Sequence, residues 1–316
     1  MIRPFDWRDF PNLHRNRNDG LWLDSSLALT RWMALVPAGA LLSTIAPATG
    51  IFTYIATNEE NGGRQVVGQF IHAMGNPNAK LTFITPEEAI ESPEVPRLLD
   101  YLAARAGDRG AHNMLAEVND RSEVFEVLRR AGYGIYTRQR VWELKAAKSP
   151  ESRLWRPAEE KDEHHVHYLY HSLVPALVQQ TEPPPWEKVN GLLFFSGDEV
   201  MAYVHLRYGP KGILAQPFFH PDTDRVEELL ASLFNSIQNP RGRPVYLCVR
   251  SHQFWLTTFL DEMDLRSGQS QAVMVKRLVV LIKEPALQPA SAALENVRPE
   301  ISTHVNKNYD QKTNYR

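Results

Sequence analysis

One apolar pattern occurs twice in this chain. Val95-x-x-Leu98-Leu99-x-x-Leu102 returns as Val226-x-x-Leu229-Leu230-x-x-Leu233, an offset of 131 residues, and Leu128 and Leu260 stand 132 apart. Apolar residues recurring at three and four positions line one face of an α-helix. Such a helix has to bury that face against a second layer. Two of them at a steady displacement, each set among matching elements, predict one fold present twice. A length of 316 residues agrees, since domains run to about 100–200 residues.

The first half reads as a short strand at Ile2-Arg3-Pro4, a helix or broken helix over 24–45 and strands over 51–57 and 65–72, with an Asn61-Gly62-Gly63 turn between the last two. A strand over 80–85 follows, then a helix over 95–106 with Pro96 in its first turn, a strand over 114–118, a helix over 122–130 and a long strand over 133–144. The same order restarts at Leu154-Trp155-Arg156-Pro157. It continues with a helix over 163–178, strands over 191–195, 201–206 and 213–219, a helix over 226–237, a strand over 245–249, a helix over 252–263 and a strand over 272–282. This predicts domains at 1–146 and 152–284, a linker at 147–151 and a flexible tail at 285–316, where large apolar residues are few.

Thirty-five Lys and Arg stand against 37 Asp and Glu, a net charge of −2. That balance lacks the basic field of a nucleic-acid-binding protein, so no nucleic-acid partner is expected. Arg129, Arg130, Arg138 and Arg140 are read as solvated surface. The start, Met1 to Asp9, has no apolar stretch of a secretory signal, and the single cysteine, Cys248, permits no internal disulfide. Residues 32–48 are broken by Pro37 and Pro47 and fall short of the roughly 20 apolar residues that cross a bilayer. A cytoplasmic protein with no membrane partner is the expectation.

The order of elements resembles the GNAT acyltransferase superfamily, here as a tandem pair. The local match is carried by Lys80-Leu81-Thr82-Phe83-Ile84-Thr85-Pro86, the helix from Val95, Met114-Leu115-Ala116-Glu117-Val118-Asn119, and the run from Val124 to Tyr133. The resemblance implies two α/β domains, each with a mixed, mostly antiparallel sheet flanked by helices, and a gap where the fourth and fifth strands of each half part. Acetyl-CoA or another acyl-CoA would lie in such a gap, and a small-molecule or peptide amine would enter from the other side. Phe83, Ile84 and Thr85 would hold the pantetheine, Asn119 would bond it or cap the next helix, and Val95 or Arg225 and Val226 would receive the pyrophosphate, which helix N-termini favour.

Two departures accompany the resemblance. The family's glycine-bearing phosphate loop falls on Ile90-Glu91-Ser92-Pro93-Glu94-Val95 and on Pro221-Asp222-Thr223-Asp224-Arg225-Val226, each without glycine and with two acids. The family's usual tyrosine acid falls on Leu128 and Leu260, which cannot give up a proton. Tyr133 and Tyr136 are the nearby substitutes, and His220, at a strand end, is a candidate base toward an amine. His164, His167 and His171 share a helix face, yet three ligands on one helix make a poor tetrahedron and no metal is expected. Cys248 reads as a buried small hydrophobe. No nucleophile elbow, Walker loop or dinucleotide fingerprint occurs. The chain is therefore expected to be an acyl-CoA-dependent N-acyltransferase acting on an amine, or else a non-catalytic tandem module that binds a small molecule or a protein.

Overall fold

The computed structural model describes residues 1–16, 19–31, 39–41, 43, 47–57, 65–146, 154–182, 184, 189–239 and 241–278. The expected Asn61-Gly62-Gly63 turn, the linker at 147–151, the tail at 285–316 and much of the apolar segment 32–48 lie outside them.

The strands are β1 (Ile2–Pro4), β2 (Leu21–Trp22), β3 (Ile51–Thr57), β4 (Gln65–Ile71), β5 (Asn78–Thr85), β6 (Asn113–Asn119) and β7 (Gly134–Leu144). They continue with β8 (Arg156–Pro157), β9 (Gly191–Ser196), β10 (Glu199–Tyr208), β11 (Ile213–Phe219), β12 (Val245–Arg250), β13 (Arg266–Ser267) and β14 (Gln271–Arg277). All belong to one sheet, in the order β1-β3-β4-β5-β6-β14-β7-β12-β11-β10-β9-β8, with β2 beside β5 and β13 beside β7. The pairings are antiparallel except β5 with β6 and β11 with β12. The two halves exchange their last strands: β14 lies between β6 and β7, and β7 also pairs with β12. A continuous sheet results, with no free edge at its centre, where unpaired backbone would be costly.

The helices are α1 (Phe10–Arg15), α2 (Ser25–Thr30), α3 (Glu94–Gly107), α4 (Glu123–Arg130), α5 (Glu163–Leu173), α6 (Ala176–Thr181), α7 (Val226–Ser236) and α8 (Leu256–Glu262). The repeated apolar stripes account for α3 and α7. Val95, Leu98, Leu99 and Leu102 are fully buried in one core, and Leu229, Leu230 and Leu233 in its counterpart. The helix expected over 163–178 is broken, because Pro175 cannot continue α5 and instead precedes α6. A third core, built from α5, α6 and residues of both halves such as Leu115, Tyr136 and Phe218, lies over the middle of the sheet.

Duplication is also visible in one ion pair. Arg3 grips both carboxylate oxygens of Asp9 at 2.7 Å, and Arg156 grips Asp162 at 2.8 and 3.0 Å. In each copy the acid also accepts a backbone N–H from the residue three before it, Asp6 or Glu159. Both pairs fasten an outermost strand to the helical turn that follows it. The helices of the two halves cross over: α2 docks against β11, and α6 against β7. Lys211 N donates to Thr30 O at 3.0 Å, and a Cβ on Gly209 would collide with that same carbonyl, so glycine is required for this docking.

Candidate functional site

Each half parts its parallel strands after three residue pairs. In the first half Asn78, Ala79 and Lys80 face Asn113, Met114 and Leu115, and the strands then diverge. In the second, Ile213, Leu214 and Ala215 face Val245, Tyr246 and Leu247 before the same divergence. Both gaps are closed by the chain itself. In the first, β2 runs antiparallel to β5, with Leu21 opposite Ile84 and Trp22 opposite Phe83. Leu23 N donates to Thr82 O at 3.0 Å and Leu23 O accepts from Glu117 N at 2.8 Å, so this segment bridges β5 to β6. In the second, Phe219 N donates to Gln253 Oε1 at 2.8 Å, and Gln253 Nε2 donates back to Phe219 O at 3.2 Å. Alternation along β11 turns the backbone of residue 217 toward the same gap, and Pro217 has no N–H to offer there.

Between the halves lies a cavity of about 780 Å³. Its floor is Leu115 and Glu117 of β6, Gln139 of β7, Leu214, Gln216 and Phe218 of β11, and Cys248 and Arg250 of β12. Ser25 and Ser26 of α2 stand to one side, and Tyr170, Val174, Val178 and Glu182 of the α5–α6 region to the other. Lys80 and Arg207 complete the charged part of the lining, and His252 adds a neutral imidazole.

Two ion pairs organise it. Lys80 Nζ lies 3.2 Å from the buried Asp24. Arg250 Nη2 donates to both oxygens of Glu182, at 2.8 and 3.1 Å, and Tyr136 Oη donates to Glu182 Oε1 at 2.5 Å. Burial pushes the Glu182 carboxyl up, but Arg250 and the Tyr136 bond more than reverse this and leave it below the ordinary carboxylate value. Burial also opposes the Arg250 charge, and Glu182 overcomes it, so the guanidinium stays protonated. Gln139 Nε2 donates to Glu117 Oε2 at 2.9 Å and to Gln271 Oε1 at 2.8 Å, while its oxygen accepts from Cys248 Sγ at 3.2 Å. Burial pushes the Cys248 thiol up to about 12, so it is no nucleophile at neutral pH.

No protein-family model matches the sequence, and no curated protein matches it. Solved structures do. A tandem GNAT protein from the clavulanic acid biosynthesis pathway, in its form without AcCoA, is 10% identical at a TM-score of 0.50, over 88% of this chain and 98% of that one. A GCN5-related N-acetyltransferase from Sphaerobacter thermophilus is 11% identical, TM-score 0.49, over 88% and 95%. Another from Kribbella flavida is 11% identical, TM-score 0.46, over 67% and 86%. With the twice-repeated parting of parallel strands, the architecture is decided. The chain has a tandem GNAT-like fold. At such identities the likeness concerns fold alone.

The acyl-CoA that this fold implies requires an open fourth-strand edge and a helix start that accepts phosphate. In the first half of this tandem GNAT-like fold the edge is taken by residues 21–23, and α3 begins with buried Glu94, a Val95 N–H already donated to Ser92 O at 3.1 Å, and Pro96, which has no N–H. In the second, Pro217 offers no donor, Gln253 occupies both the N–H and the carbonyl of Phe219, and the first turn of α7 carries Glu227 and Glu228. Arg225, in the left-handed region at φ 60°, is bound to Glu228. The residues present at these two places do not fit acyl-CoA.

The residues singled out from sequence are dispersed. Phe83 and Ile84 lie in β5 against β2, and the Thr85 hydroxyl donates to Asn16 O at 3.1 Å. Val95 is wholly buried, and Val226 is buried at the start of α7. Asn119 ends β6 opposite Gln271, and its carbonyl accepts from Ser122, the residue that caps α4. It also borders a second, smaller cavity of about 360 Å³ beside Glu87, Trp22 and Glu123. The Tyr133 hydroxyl is buried without a partner, with its pKa raised by that burial. Tyr136 is likewise raised by burial, then by Glu182. His220 Nδ1 accepts from Asp222 N at 3.3 Å and lies outside the central lining. On α5, His167 lies 4.0 Å from Glu163 and His171 Nδ1 lies 2.8 Å from Gln179 Oε1. Among the described residues no cluster of three or more His, Cys, Asp or Glu could hold a metal ion, and no helix is long and apolar enough to cross a membrane.

Sequence reading missed Arg250, Glu182, Gln139 and Lys80 as neighbours. The available signal was Arg250, a charge that ends the otherwise apolar run from Val245 to Val249.

Proposed function

We propose that the chain is a non-catalytic tandem GNAT-like module that binds a small polar molecule in the central cavity. The carrying observation is that the chain fills both strand gaps with its own backbone or side-chain amides and leaves a cavity of about 780 Å³ between the halves. That volume is in the range of ordinary ligand pockets, which combine apolar walls with a few placed polar groups.

The other reading, acyl-CoA-dependent transfer to an amine, draws its support from the fold. It would require residues 21–23 or Gln253 to leave their places, with Tyr133, Tyr136 or His220 serving the proton transfers.

Calorimetry with acetyl-CoA and longer acyl-CoAs separates the two. The binding-module reading expects no saturable heat across the series and no acylation of amines assayed beside it. Saturable binding accompanied by acyl transfer would overturn it.

A further inference from the structure

Four nitrogen atoms in the wall of the central cavity are shut off from water and meet no partner: Nε and Nη1 of Arg250, and Nδ1 and Nε2 of His252. Arg250 is only 7% exposed, and Glu182 engages its Nη2 alone. Buried polar groups are nearly always bonded, and one left unmet carries the full penalty of its lost hydration. Four in two residues at the end of one strand mark a place made for something else. Burial, and then the Arg250 charge, hold the His252 pKa down to about 4, so its ring is neutral and can donate from one nitrogen.

The neighbourhood limits what that occupant can be. Arg207 adds a positive charge that acts on both Asp24 and Glu182. Glu117 and Glu182 share the cavity, so a doubly charged phosphate would meet more repulsion than a single carboxylate. Beside the charges, Leu214 and Phe218 in the floor and Val174 and Val178 at the side supply apolar surface.

We infer that the central cavity binds an organic monocarboxylate, toward whose oxygens the Arg250 guanidinium turns to donate its unmet N–H groups and whose apolar body lies between Phe218 and Val178. This rests on the central-cavity reading and adds the ligand's chemical class. Charge-assisted bonds from a buried guanidinium are among the stronger polar contacts.

The test titrates the full-length protein with phenylacetate and 4-methylpentanoate, their neutral amides, and inorganic phosphate, followed by calorimetry and ligand-observed NMR. The variants are Arg250→Lys, which keeps the charge but loses the guanidinium donors, and Val178→Trp, which fills the cavity without touching the anchor. Saturable binding of the carboxylates is expected, at least tenfold weaker for the amides and for phosphate, at least tenfold weaker in Arg250→Lys and lost in Val178→Trp. If Arg250→Lys fails to fold, the carboxylate-to-amide ratio in the unaltered protein decides. Equal binding of acids and amides, blocked by Val178→Trp, would overturn the monocarboxylate inference and leave the cavity reading standing. Preference for phosphate would also overturn it. Absence of binding by every probe would count against both.

Discussion

Gln139 and Gln271 face each other across adjacent antiparallel strands, with Gln139 Nε2 donating to Gln271 Oε1 at 2.8 Å, and they are the same residue of the two repeats. Their separation of 132 residues equals that of Leu128 and Leu260. The point at which the duplicated halves meet is therefore a pair of equivalent side chains in the exchanged strands. Glu117, Ser25 and Cys248 are tied to the same pair, which links the duplication to the floor of the cavity.

Gln139→Leu removes a side chain whose residue is 1% exposed and strips partners from Glu117, Gln271 and Cys248 at once. Leaving buried polar groups unmet costs about 1–3 kcal/mol each. Urea unfolding should show a loss of at least about 1–3 kcal/mol, with the unfolding slope unchanged. A midpoint equal to that of the unaltered protein would contradict the bonding described.

Residues 1–146 expressed alone lack β14, which separates β6 from β7, and β12, which flanks β7. Because β7 and β14 are equivalent strands, a second copy's β7 can take the vacant place, and exchange of an identical element is a low-cost route to a dimer. Light scattering is expected to find a dimer or larger species. A folded monomer would show that the exchanged strand is dispensable.

Much of this was legible beforehand, and its limits are physical. Apolar periodicity sets α3 and α7, and turn chemistry at Ser196-Gly197-Asp198 sets the β9–β10 hairpin, because both act over a few neighbouring residues. Strand exchange was not legible: β7 and β14 carry equivalent patterns, so local sequence does not distinguish which half each one joins. The closing of the gaps was equally hidden. Leu21–Leu23 is three apolar residues after a glycine, and Gln253 is one polar residue in a short helical turn, each given its role by a strand distant in sequence. Glu182 sits beside prolines, where nothing local points to a buried ion pair.

Acid should weaken the protein partly through Glu182. Its carboxyl pKa is lower folded than unfolded, so its contribution is complete above the ordinary carboxylate value and is lost as pH falls through the lower folded one. Unfolding free energy measured across pH 7 to 2 should decline below about pH 4.3, the unperturbed glutamate value. Glu182→Gln should lose about 3–5 kcal/mol at pH 7, since it strands the Arg250 charge, and should fall less steeply in acid. An acid limb as steep as that of the unaltered protein would exclude Glu182 as a contributor.

Cys248 should resist alkylation. Its thiol is buried and its pKa is pushed up to about 12, so little thiolate forms at pH 8. Mass spectrometry after iodoacetamide treatment is expected to show modification only once urea unfolds the chain. Rapid labelling of the folded protein would contradict a thiol held protonated by its burial.

Hydrogen exchange at the amides of Leu23 and Glu117 tests most directly whether the chain closes its own first gap, since each amide is bonded across it. Both should be strongly protected, and millimolar acetyl-CoA should leave their rates unchanged. Fast exchange without ligand, or protection lost when acetyl-CoA is added, would mean that the segment yields its place to the cofactor.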